Sequence, residues 1–161
     1  MATVEVTFTP LPAHVRTARL VATAVARRSG VDESLLDEVR LAVGEACSRA
    51  VEVHQKHCPM RPIRVALSDD GERFKVVVTD AAPADADGVP AGWAPAGGNG
   101  TAPGAAPTPG AGPGGMDGAL LQLPAVVGLA VITGLADDVR ISPADGGTSI
   151  AMTWKRRSAS A

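Results

Sequence analysis

The stretch VDESLLDEVRLAVGEACSRAVEVH, residues 31–54, decides the fold. Asp32 is suited to cap a helix N-terminus, because its carboxylate can accept from backbone amides that a helix leaves unpaired at its start. Acidic side chains follow in the first turn, where the helix dipole favours negative charge. Leu35, Val39, Val43, Ala46, Ala50 and Val53 recur at three- and four-residue spacing and share one face. Leu41, Glu45, Ser48, Arg49 and Glu52 fall on another face. The spacing predicts one long amphipathic helix over Asp32 to His54, with Glu45 and Arg49 one turn apart and able to touch.

Outward from this helix, the flanks alternate between sheet and helix periodicity. TVEVTFT, residues 3–9, places Val4, Val6 and Phe8 on one side and reads as a half-buried strand ended by Pro10. Pro12 opens a helix to Arg28, with an apolar stripe of Val15, Ala18, Val21, Ala22 and Val25, and Ser29-Gly30 stops it. Downstream, residues 63–67 and 73–79 form two strands around the turn signal Asp69-Asp70-Gly71. The second of these strands ends in Asp80.

The composition then changes. Residues 81–118 are dominated by Ala, Gly, Pro, Asp and Thr, and such a segment buries too little apolar surface to offset its ordering entropy. It is expected to be a disordered, lid-like insertion with Trp93 as its one large anchor. Pro124 then opens a helix to about Leu135, followed by strands over 139–142 and 148–154. Strand, helix, helix, strand, strand, loop, helix, strand, strand predicts an α+β two-layer sandwich, with a mostly antiparallel sheet covered by helices on one face. The expected organisation is one domain over residues 1–161 with a flexible tail at 155–161.

The chain has 161 residues and a formal net charge of -2, with apolar residues near half. That length suffices for one domain with its own core. The charge balance argues against nucleic acid as a direct partner, because such proteins carry a marked basic excess. The apolar run over 120–136 is too short for a membrane span, and Gln122, Pro124 and two glycines interrupt it. The N-terminus lacks the pattern of a secretion signal, and Cys47 and Cys58 make no disulfide framework. The cytoplasm is the expected compartment. His54, His57 and Cys58 match no zinc signature, so no metal site is expected.

Four short motifs on these elements resemble the RsbW/SpoIIAB-like anti-sigma factor serine kinases of the GHKL ATPase superfamily. LAVGEACSRAVEVH is similar to that family's E-x-x-x-N helix. VVVTD matches the strand ending in an adenine-binding aspartate. VVGLAVITGLADDVRI resembles the G-x-G-L-x-L-I-x-x-L-x-D-x-V segment, and Gly146-Gly147-Thr148 matches a closing G-G-T. The resemblance spans nearly the whole chain and implies a vestigial ATP pocket made by Glu45, Arg49, Asp80, Gly128 and Thr148.

Residue by residue, the match is uneven. Glu45 stands where the family has its general base. Arg49 stands where the family has the asparagine that ligates Mg²⁺, and a guanidinium is a permanent cation with donors only. The family's histidine would fall at Val53, whereas this chain has His54. Asp80 is retained, but Ala82 and Ala84 replace the two glycines that follow it, and Val126 replaces a third. These changes remove the metal and obstruct the phosphates, so no catalytic role and no cofactor are expected, with ATP possible only without normal Mg²⁺ coordination.

The resemblance therefore implies a cytoplasmic, homodimeric regulator of transcription. It would bind a sigma factor, a STAS-type anti-anti-sigma protein, or both, without kinase activity. The first alternative is an active ATP-dependent serine protein kinase acting on the antagonist, with Glu45 as base. The second is a small-ligand sensor using the remnant pocket.

Overall fold

A computed structural model describes residues 2–83, 125–144 and 146–156. Most of the expected insertion at 81–118, including Ala84 and Trp93, lies outside the described residues.

The elements follow the predicted order. They are β1 (Ala2–Phe8), α1 (Pro12–Arg28), a 3-10 turn (Glu33–Leu35), α2 (Leu36–His57), β2 (Ile63–Asp69), β3 (Arg73–Thr79), α3 (Ala125–Leu135), β4 (Asp138–Ala144) and β5 (Gly147–Lys155). The single helix expected over 32–54 is thus a 3-10 turn followed by α2, which runs three residues further, to His57. Asp32 does cap, but it caps the 3-10 turn: its Oδ1 accepts from the Ser34 amide at 3.0 Å and from the Ser34 hydroxyl at 2.7 Å.

The five strands form one sheet in the order β1-β2-β3-β5-β4, with every neighbouring pair antiparallel. Register explains the core. Val6 faces Val65, Val65 faces Val78, and Val78 faces Ile150. Further along the same strands, Phe74 pairs with Trp154. Alternate residues of each strand therefore line one face.

Against that face α1 and α2 bury Val15, Ala18, Ala22, Ala26, Val39, Val43, Ala46 and Ala50 in a single cluster with the strand residues. The many alanines on both helices are small, which suits close packing of α1 on α2. The Trp154 indole N–H donates to the Leu135 carbonyl at 2.9 Å, docking the end of α3 onto β5. The result is the two-layer α+β sandwich that the sequence predicts.

The β2–β3 hairpin is pinned at its tip. Gly71 takes φ 93° there, and Asp70 Oδ1 accepts the Glu72 and Arg73 amides at 3.0 and 2.7 Å. The Arg73 amide, chiefly, holds the Asp70 carboxyl below its usual range. Arg156 clamps this hairpin: its Nη1 donates to Asp69 at 3.2 Å and to the Gly71 carbonyl at 3.1 Å. Lys155 closes β5, so both residues belong to the folded part rather than to the expected tail, and 157–161 lie outside the described residues. Among the described residues, no helix is long and apolar enough to cross a membrane.

Candidate functional site

Strand β3 delivers Asp80 to the end of the sheet, where β5 begins. The Asp80 amide donates to the Thr148 carbonyl at 2.9 Å. In return, the Thr148 amide donates to Asp80 Oδ1 at 3.3 Å, and the Ala82 amide reaches the same oxygen at 3.0 Å. Gly147 permits this close approach, because a Cβ there would overlap the Asp80 carbonyl. Asp80 is 3 % exposed and Thr148 is 1 % exposed.

A buried carboxylate needs a compensating charge. Arg49 supplies it from α2: its Nη1 donates to Asp80 Oδ2 at 2.7 Å, and the arginine is 7 % exposed. The sequence sets Arg49 on a face apart from the apolar stripe, within reach of Glu45; the carboxylate it meets is that of Asp80. The side chain is long enough to leave its helix, cross the layer and end on a carboxylate 31 residues away in sequence. Asp80 thus has Oδ1 engaged by two backbone amides and Oδ2 by a guanidinium.

His54, one turn beyond Ala50, closes the same corner. It is fully buried. Its Nε2 accepts the Ala81 amide at 2.8 Å, and its Nδ1 lies 2.9 Å from the Arg61 carbonyl. An amide can only donate, so Nε2 presents a lone pair and the ring proton sits on Nδ1, donating to Arg61. The ring ties α2, the loop before β2 and the chain leaving β3 together. Val53 packs with Ala82, and Cys58 packs against them. Burial pushes the Cys58 thiol up, Arg61 draws it down, and Asp80 pushes it up.

The structure therefore brings Arg49, Asp80 and Thr148 together. Glu45 is half-buried on α2, one turn before Arg49. Gly128 lies in α3, which packs on α2. Sequence reasoning misses the Arg49–Asp80 pair and the role of His54. The signal available for them is an arginine and a histidine set among the small apolar residues of α2, next to the buried stripe. Among the described residues, no group of three or more His, Cys, Asp or Glu side chains is placed to hold a metal ion.

The residues present do not fit a magnesium–nucleotide complex of the kind the motif resemblance implies. The position expected to ligate the cation carries a cation of its own. The carboxylate expected to read adenine has both oxygens engaged from within the protein. What the arrangement does chemically is lock α2, β3 and β5 to one another through a charge-assisted hydrogen bond.

Comparison with known proteins agrees with this architecture. The profile of a family described as the histidine kinase-like ATPase domain matches residues 8–154. No curated protein sequence matches the chain significantly. Among solved structures, the chain is similar to the crystal structure of the RsbU and RsbW domains of Rv1364c from Mycobacterium tuberculosis. The TM-score is 0.61 at 18 % identity, over 98 % of this chain and 34 % of that one. The chain thus spans about a third of that protein's crystallised length. At such identity the likeness shows the fold. The family match covers most of the chain, and the chain belongs to the histidine kinase-like ATPase domain family.

Proposed function

From that membership we propose a regulatory protein of the anti-sigma type that works in the cytoplasm as a homodimer and does not phosphorylate its partner. It binds a sigma factor, a STAS-type anti-anti-sigma protein, or both. The observation that carries the non-catalytic part is the buried Arg49–Asp80 pair at 2.7 Å. Phosphoryl transfer is mainly positioning plus electrostatic stabilisation by a metal, and a fixed guanidinium at the metal-ligating place opposes both. The family membership, and the likeness of the fold to a structure containing an RsbW domain, support the partner class.

The test is co-purification of the chain with sigma factors and STAS-domain proteins of its source, each with and without ATP and Mg²⁺. Labelled phosphate transfer from ATP is followed in the same mixtures. The expected result is a complex with at least one of them that ATP and Mg²⁺ leave intact, and no labelled partner. Transfer that disappears in the Glu45→Ala variant would establish the kinase alternative.

A further inference from the structure

We propose that the end of the sandwich bearing Leu11 and Met60 is a docking surface for a partner protein, which meets it with an acidic segment carrying an apolar side chain. The inference rests on the partner-binding reading above and adds the place and the chemistry of the contact.

Three observations carry it. First, Met60 is 93 % exposed and Leu11 is 51 % exposed. Single apolar side chains at a surface are ordinary, but these two stand on adjoining loops. β1 and β2 stay paired as far as Phe8 and Ile63, so the loop after β1 and the loop before β2 leave neighbouring strand ends. The Gln55 amide, in the last turn of α2, donates to the Pro10 carbonyl at 3.1 Å. It ties the first loop to the helix from which the second departs. Second, both side chains are presented from braced backbone. Met60 is at the tip of a turn closed by the Arg61 amide on the Cys58 carbonyl at 3.0 Å, with Pro59 before it and Pro62 after. His54 holds the Arg61 carbonyl from behind, and Cys58 packs on Val53 and Ala82. Leu11 lies between Pro10 and Pro12, and its carbonyl accepts the His14 amide at 3.0 Å. Proline fixes φ, so docking here orders little backbone. The methionine side chain stays adaptable, which suits it to fill a partner's apolar recess.

Third, the charge of this end has one sign. Residues 9–12 and 55–62 hold Lys56 and Arg61 and no Asp or Glu. Glu52 engages Lys56 at 3.1 Å, and Asp80 is buried against Arg49. Arg61, next to Met60 in the chain, is the exposed cation of the turn. A complementary partner therefore brings a carboxylate to Arg61 and an apolar side chain to Met60 and Leu11.

The experiment measures the Kd of the full-length chain for the sigma factor or STAS-domain protein with which it co-purifies, at low and high sodium chloride. Wild type is compared with Met60→Glu, with Leu11→Ala plus Met60→Ala, and with Arg61→Glu. Leu41→Glu is the comparison, because Leu41 is as exposed as Leu11 but lies on α2, outside both loops. All these side chains face solvent, so each variant should keep the wild-type Tm, and the double alanine variant is the milder one if a glutamate disturbs its loop. The expected result is that Met60→Glu and the double variant each weaken binding at least about tenfold. Salt should weaken the wild-type complex, and Arg61→Glu should weaken binding and flatten that dependence. Leu41→Glu should bind as wild type does. Wild-type affinity in the double alanine variant, a loss as large in Leu41→Glu, or a wild-type complex indifferent to salt would overturn the proposal while leaving the partner-binding reading in place. A wild type that binds neither class of protein would overturn that reading, and the docking surface with it.

Discussion

Replacing Arg49 by alanine should be among the most destabilising single changes in this protein. The substitution leaves the Asp80 carboxylate buried at 3 % exposure without its cation. Removing one partner of a buried pair costs about 3–5 kcal/mol. A domain of this size would then lose roughly 10 °C in Tm. Asp80→Ala should be worse, because the Ala82 and Thr148 amides lose their acceptor as well, at about 1–3 kcal/mol each. Asp80→Asn keeps an oxygen for those amides and should fall between. The double change to Arg49→Met with Asp80→Asn should recover much of the loss, since a pair replaced by neutral groups leaves no stranded charge. Urea unfolding followed by tryptophan fluorescence measures all four, and adding the single Arg49→Met variant closes a cycle with Asp80→Asn that gives the coupling. A cost below about 1 kcal/mol for Arg49→Ala would refute the reasoning, because that is the worth of an exposed pair.

The same packing has other consequences. Burial pushes the Cys47 thiol up to about 12, against an ordinary value of 9.0. Between those two values the unfolded chain releases this proton and the folded chain retains it. Cys47 therefore lowers stability as pH rises from 9.0, by about 1.4 kcal/mol per pH unit, until the folded thiol ionises near 12. Urea midpoints across that range should fall more steeply for wild type than for Cys47→Ala, and parallel slopes would count against it. His54→Ala should strand the Ala81 amide and the Arg61 carbonyl and cost about 2–4 kcal/mol. Hydrogen exchange should show the Ala81 amide protected in wild type and unprotected in the variant. Gly147→Ala should cost about 1–3 kcal/mol or more, because the added methyl meets backbone rather than a movable side chain. A Tm equal to that of wild type would mean that β5 does not lie against Asp80.

Most of the fold is legible in the amino-acid order. The period of Val4, Val6 and Phe8 places β1, and Pro12 and Pro124 place the starts of α1 and α3, because alternation and proline act through local geometry. Asp69-Asp70-Gly71 places the hairpin for the same reason, through the left-handed residue that its turn requires. The site is only half legible. Asp80 and Thr148 stand out through the motifs VVVTD and Gly146-Gly147-Thr148, and the pairing of β3 with β5 brings them together. Helical periodicity sets Arg49 apart from the apolar stripe, one turn from Glu45, because it assigns a position by its Cβ, whereas an arginine head acts several ångströms from there. His54 reads as the end of the expected helix with no partner assigned to it, yet it is buried in the last turns of α2, and its two partners come from other segments that no local pattern links.

The most direct test of the central claim is thermal unfolding of the wild-type protein with millimolar ATP, with and without Mg²⁺. A ligand that binds only the folded state at a hundred times its dissociation constant adds about 2.7 kcal/mol, a shift of several degrees. With Asp80 engaged by Arg49 and a cation where a metal ligand would stand, the Tm should be the same under both conditions and equal to that of the protein alone. A rise that requires Mg²⁺ would contradict the account and make the kinase the better reading of this chain.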